Sequence, residues 1–155
     1  FEIILPGYKY NLSDIQSALG IVQLRKLNSF TKSRIRLAKR YTQLLSGIAD
    51  LQLLTVKPYA THNWHLFPIL GKHWTFHQRN RMIELLRDWN IGTSVHFIPI
   101  HHHPYYRKTY KYKPSDFPVT EKVFSQLISL PIYPGMTMDD VEYVVQAIKV
   151  NFNKI

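Results

Sequence analysis

Cysteine is absent from the 155 residues, which excludes disulfides, thiolate zinc sites and a thiol nucleophile, and is compatible with a cytoplasmic home. No apolar run approaches the roughly eighteen residues of a membrane span, and no secretory pattern opens the sequence. The first residue is Phe1 rather than Met, which leaves open that the sequence is a piece of a longer protein. Glycines are few and scattered, 6 in all, and none clusters into a phosphate-cradling loop. Acids are scarce too: 10 Asp and Glu stand against 20 Lys and Arg, a formal charge of +10 that suits an anionic partner. Arg25, Lys26, Lys32, Arg34, Arg36, Lys39 and Arg40 follow one another with no acid between them, and Arg107, Lys108, Lys111 and Lys113 form a second group. No zinc-finger or RNP-type signature accompanies them. A solvated helix face and a solvated loop are therefore the preferred reading, with a nucleic-acid-binding domain as the lesser alternative.

Present instead are 45% hydrophobic and 14% aromatic residues, enough for a single globular domain with its own core. The chain is organised around Pro6-Gly7-Tyr8-Lys9-Tyr10-Asn11-Leu12-Ser13-Asp14-Ile15-Gln16. Ser13 and Gln16 have the spacing at which a hydroxyl and an amide cap each other's helix-terminal amides, so a polar loop feeds a helix. Ile15, Ala18, Leu19, Ile21, Val22, Leu24 and Leu27 then point in several directions, which a half-exposed helix does not tolerate. From Ile35 the pattern narrows to Leu37, Ala38, Tyr41, Leu44, Leu45 and Ile48, one stripe at helical period. The spacing predicts one long or kinked helix over residues 14–48, covered by a partner at its start and by its own domain at its end.

Residues 49–55 suit a short strand. Residues 63–70 read as a strand with Trp64, Leu66 and Pro68 on one face, Pro68 placing it near an edge. Thr75 and Gln78 repeat the capping spacing, and Met82, Ile83, Leu86 and Trp89 follow a helical period that Gly92 is suited to end. Residues 93–98 are rich in strand formers, and the polar, aromatic, basic residues 99–113 are expected to form a loop of functional length. Pro118 opens a helix to about Leu127, residues 128–133 form a last strand, and Thr137, with Asp139 and Asp140, opens a helix burying Val141, Val144, Val145, Ile148 and Phe152. The expected fold class is α+β, a small mostly antiparallel sheet covered by helices and preceded by a long helix. Residues 1–12 form a contact loop, 13–48 the linking helix and 49–155 the small domain.

His101-His102-His103 catches the eye as a metal site. In an extended loop, however, consecutive histidines alternate in direction, and no carboxylate stands near in sequence; no metal site is assigned. His96, on an apolar strand, has a satisfied packing role as its first reading, and Lys9 near Gly7 is by itself only exposed.

Four separated motifs, in order and spacing, resemble one family. They are the run from Gly7 to Gly20 with Gln23-Leu24 and the basic helix ending in Tyr41; Trp64-His65-Leu66-Phe67; Gly92-Thr93-Ser94-Val95-His96-Phe97 with His101 and Tyr105-Tyr106; and Ser129-Leu130-Pro131-Ile132-Tyr133-Pro134-Gly135-Met136-Thr137. Together they resemble the C-terminal half of pyridoxal-phosphate-dependent sugar aminotransferases of the DegT/StrS type. The Gly-Tyr-Lys-Tyr-Asn-Leu form looks closest to enzymes that form UDP-4-amino-4-deoxy-arabinose. The resemblance implies the small domain of a fold-type I enzyme that transfers an amino group, with glutamate as donor, to a nucleotide-linked keto sugar in lipopolysaccharide or polysaccharide biosynthesis. It implies a homodimer or a separate N-terminal cofactor-binding domain as partner, and it places the Schiff-base lysine, the carboxylate at the pyridine nitrogen and the aromatic stacked on the ring in a preceding large domain, so that no catalytic residue is assigned here.

Lys9 and Asn11 map to the loop that reaches the cofactor phosphate of a neighbouring subunit. The family often has Asn and Arg at these two places, so the charge is retained but moved. Tyr8, His65, His96 and His101 map around the sugar-nucleotide site, and the resemblance moves His96 from packing to function; His102 and His103 gain nothing from it. A non-enzymatic truncated remnant or dimerisation module, and a split enzyme, retain the same motifs and stand as alternatives.

Overall fold

The computed structural model describes Leu5 and residues 7–155; Pro6, within the organising stretch, lies outside the described residues. Its first element is α1 (Asp14–Leu45), closed at its start by the expected reciprocal cap. The Ser13 hydroxyl accepts from the Gln16 amide at 3.4 Å, and the Gln16 side chain accepts from the Ser13 amide at 3.0 Å. The helix is exposed along its first half, with Leu19 61% and Leu24 69% accessible, while Leu37, Ala38, Tyr41 and Leu45 are fully buried. The single-stripe half thus belongs to the domain's core and the many-sided half does not.

Three strands follow: β1 (Leu51–Leu53), β2 (Phe67–Gly71) and β3 (Leu127–Leu130), antiparallel in that order. Leu53 lies opposite Ile69, and Ile69 opposite Ile128, which aligns the apolar positions on the buried face. Between β2 and β3 run α2 (Phe76–Asp88), α3 (Pro104–Tyr110) and α4 (Pro118–Gln126), and α5 (Met138–Asn151) follows β3. The α5 helix packs on α1 and on α2. Its Val141, Val144, Val145 and Ile148 meet Phe67, Ile69, Met82 and Ile128 in one core. Thr75 with Gln78 and Thr137 with Asp140 form the expected caps.

The long helix ends at Leu45 rather than at residue 48, and the last strand runs over Leu127–Leu130 rather than 128–133; four further expectations change. β2 begins at Phe67 rather than residue 63, because Trp64 has a φ of 51°, which no strand contains; Phe67, Ile69 and Gly71 take the buried face, not Trp64, Leu66 and Pro68. Helix α2 is ended by Asn90, at a φ of 58°, and not by Gly92. The Ile91 amide reaches the Leu86 carbonyl at 2.9 Å and the Asn90 amide the Arg87 carbonyl at 2.8 Å, the paired bonds of a left-handed helix end. Residues 93–98 make only a bridge between Ser94 and Ser129. Phe97 and Ile98 are exposed, and strand preference is realised only where such side chains pack. Residues 99–113 are not a plain loop: Ile100–His102 forms a 3-10 turn and Pro104 occupies the first turn of α3, where its missing N–H costs nothing.

Candidate functional site

Arg34 stands on the helix face that carries Leu37, Ala38 and Tyr41, and from there its guanidinium crosses to the ends of two strands. Its Nη1 donates to the carbonyls of Trp64 at 3.2 Å, His65 at 3.1 Å and Ile132 at 2.9 Å. The Ser33 hydroxyl donates to the Pro134 carbonyl at 2.9 Å, and the Tyr41 hydroxyl to that of Pro131 at 3.0 Å. Side chains of α1 therefore satisfy the carbonyls that β3 leaves unpaired at its exit. Burial pushes the Tyr41 phenol well above its ordinary range, and the charges of Asp140 and Tyr133 push the same way.

Beside this junction lies a hollow of about 150 Å³ whose lining includes His65, Gly92, Ser94, His96, Ser129 and Pro131. His96 is held with Nδ1 3.3 Å from the Ser129 hydroxyl. Ser129 is buried and exchanges backbone bonds with Ser94 at 3.2 and 2.8 Å. The bridge that replaces the expected strand thus aims His96 across β3. Two imidazoles and a hydroxyl at one concave surface offer hydrogen-bonding and proton-accepting groups to a polar ligand.

The remaining residues singled out from the sequence lie elsewhere. Tyr8, Lys9 and Asn11 are exposed in the segment leading to Ser13, Tyr8 with its ring 5.7 Å from that of Tyr10, and none lines the hollow. An ammonium and an amide suit a phosphate and supply nothing for a pyridine ring. His101 is buried, stacks on Phe117 at 4.6 Å and places Nε2 2.5 Å from Glu121 Oε1. It is not brought together with His65 and His96, but lines another cavity, of about 400 Å³, with His102, Arg107, Tyr112 and Lys113. His102 Nε2 also lies 2.5 Å from Glu121 Oε1. Desolvation pushes the Glu121 carboxyl up, but the hydrogen bonds and charges of the two imidazoles together hold it below its ordinary value.

Two premises of the sequence reading are thereby corrected. Residues 101 and 102 do not alternate as in a strand, because the 3-10 turn puts both rings on Glu121, and the carboxylate comes from α4 rather than from nearby sequence. Arg34 is not part of a solvated basic face. The 34, 37, 38, 41 spacing, one side of a helix, carried the signal for Arg34; nothing local to residues 101–103 announces Glu121.

Residues 1–149 match the DegT/DnrJ/EryC1/StrS aminotransferase family. The chain is 49% identical over 150 residues to the uncharacterized protein MJ1066 of Methanocaldococcus jannaschii, covering 96% of this chain and 39% of that protein. It is 42% identical over 151 residues to the spore coat polysaccharide biosynthesis protein SpsC of Bacillus subtilis, again covering 96% and 39%. Among solved structures, the Helicobacter pylori aminotransferase PseC, involved in pseudoaminic acid biosynthesis, superposes with a TM-score of 0.89 at 25% identity, over 99% of this chain and 41% of that one. The putative sugar aminotransferase Spr1654 of Streptococcus pneumoniae, in its PLP form, gives 0.89 at 26% identity over 99% and 39%. This chain thus spans about two fifths of the length of these relatives. The family match over nearly every residue and the shared α+β architecture agree: the chain belongs to the DegT/DnrJ/EryC1/StrS aminotransferase family.

Proposed function

We propose that this chain is the small-domain part of a pyridoxal-phosphate-dependent aminotransferase that transfers an amino group from glutamate to a nucleotide-linked keto sugar. The observation that carries the reading is the meeting of His65, His96 and Ser129 at one hollow, in a chain of this family. Ser129 engages His96 at Nδ1, leaving the ring's other nitrogen for a sugar hydroxyl or phosphate oxygen. Lys9 and Asn11, exposed ahead of the capped start of α1, hold the cofactor phosphate, and Tyr8 borders the sugar. His101 acts indirectly, by anchoring the segment that follows His96. When bound, pyridoxal phosphate supplies the electron sink for amino transfer. The lysine that holds it and the carboxylate that keeps its ring nitrogen protonated come from another domain, so this chain alone is not catalytic. The Gly7 to Leu12 form carries the finer choice of a UDP-linked 4-keto pentose.

The exposed apolar half of α1 favours one further reading, a dimerisation module without chemistry of its own. The deciding experiment gives the intact protein that contains this chain pyridoxal phosphate, glutamate and a panel of nucleotide-linked keto sugars, with amination followed by mass spectrometry. An aminated sugar is expected. No product from any sugar, with the cofactor bound, overturns the proposal in favour of the module. Borohydride reduction of the chain alone with pyridoxal phosphate should trap no stoichiometric adduct at a single lysine; such an adduct would refute the division of labour.

A further inference from the structure

We propose that His101, His102 and Glu121 form a binding site for a divalent transition metal of the zinc class. The three ligand atoms lie within 4.8 Å of one another and come from two elements, the Ile100–His102 turn and α4. Both imidazoles are fixed by packing rather than left free to turn. His101 is stacked on Phe117 at 4.6 Å, His102 stands edge-on to Phe124 at 5.7 Å, and the two rings are perpendicular at 4.7 Å. Each presents Nε2 to the same carboxylate oxygen at 2.5 Å. Ligands already held in convergent rotamers lose little freedom on binding an ion.

The donor set selects the metal. Two imidazole nitrogens and one carboxylate suit zinc, nickel or cobalt, whereas magnesium and calcium favour oxygen donors. Metal–ligand bonds of about 2.1 Å set neighbouring tetrahedral ligands about 3.4 Å apart, so an ion enters once the two Nε2 atoms, which lie within 4.8 Å of each other, approach that spacing and Glu121 moves outward by roughly an ångström. Its side chain is 30% accessible, which permits that movement. The site faces the cavity bounded by Arg107, Tyr112 and Lys113, so three protein ligands leave an outer position for solvent, as in open zinc sites. Arg107 and Lys113 oppose a cation there; the carboxylate charge inside the cluster and the compact ligand set offset them. The consequence is positional: the ion ties the turn that continues from His96 to α4.

The alternative is a carboxylate held by the two imidazoles with no ion. The experiment uses the tag-free chain, stripped with a chelator and titrated with zinc chloride near neutral pH by calorimetry. Histidine ring resonances are followed in parallel, and magnesium chloride serves as the control. One saturable equivalent of zinc, a raised melting temperature and ring shifts confined to His101 and His102 are expected, with no response to magnesium. Glu121→Gln and His102→Gln, each checked for folding without metal, should weaken zinc at least tenfold. No saturable binding, or shifts on His62, His65, His73 or His77 instead, overturns the proposal. Because the ring shifts are read on the unmodified protein, they decide even if a variant fails to fold.

Discussion

Replacing Arg34 by Met keeps most of the apolar stem and removes only the guanidinium, which isolates its bonds to three carbonyls. A hydrogen bond with one charged partner contributes about 1.5–3 kcal/mol when lost from a buried site. One Nη1 carries two hydrogens, so three acceptors share them, and Arg34 is only half-buried, so the freed carbonyls recover some water. The expected loss is therefore that of one to two such bonds, about 2–4 kcal/mol. For a domain of this length each kcal/mol lowers the melting temperature by about 2–4 °C, which places the shift at roughly 4–16 °C. Urea denaturation should show a lower midpoint with an unchanged slope, and Arg34→Lys should lie between the two, since an ammonium carries charge without the planar fork. A loss below about 0.5 kcal/mol, the range of ordinary surface substitutions, would refute the claim that Arg34 ties α1 to the ends of β2 and β3.

Tyr41→Phe should cost about 1–2 kcal/mol near neutral pH by leaving the Pro131 carbonyl unpaired. Because folding raises the Tyr41 pKa above its ordinary value of 10.0, that stabilisation is complete below pH 10 and falls as the unfolded chain alone deprotonates above it. The gap between the two proteins in denaturation series should thus narrow only on the alkaline side. Gly71→Ala should destabilise by about 1–3 kcal/mol through overpacking, because the added methyl would lie 1.9 Å from the Trp74 ring; a neutral effect in urea would show that the ring moves aside. In the intact protein, Lys9→Ala should weaken cofactor retention while His96→Ala slows amination with the cofactor still bound. Equal cofactor loss in both, read by absorbance, would remove the distinction. Leu24→Glu, at an exposed position, should reduce self-association of the isolated chain in sedimentation without lowering its melting temperature; unchanged association would acquit this face.

What was legible in the sequence was local or periodic. Three helix starts were legible: Ser13 and Thr75 from side chains three residues apart that satisfy each other's backbone amides, and Thr137 from a capping hydroxyl followed by acids in the first turn. The buried stripes of α1 and α5 follow from helical period, although Leu44, Ile48 and Phe152 are only half-buried and the last two lie beyond the helix ends. What failed depended on distant groups. Residues 93–98 have strand composition but lack a surface on which Phe97 and Ile98 are packed, so pairing stops at Ser94. Histidines read as divergent converge because a turn and a carboxylate 20 residues away meet. Arg34 was counted as surface charge because its acceptors lie about 30 and 98 residues along the chain, although its place in the buried stripe was in plain view.

The two halves of α1 show why local and distant information separate in this way. The same regular helix, with one unbroken hydrogen-bond ladder, is fully buried at Leu37 and Leu45 and open to solvent at Ile15 and Leu19. Helix formation itself does not distinguish them, since both halves carry good helix formers. The distinction lies in the direction of apolar residues: one stripe where one domain covers the helix, several where covering must come from more than one side. On this reading the exposed residues are not defects of the fold. Under the proposed function they are the face by which α1 carries the Lys9 and Asn11 segment to another body, while Ser33, Arg34 and Tyr41, farther along the same rod, fix the strand ends beside His65 and His96. If Lys9 and Asn11 hold the cofactor phosphate as proposed, a helix that ties both segments together makes the geometry of that contact depend on how the hollow at His65 and His96 is built.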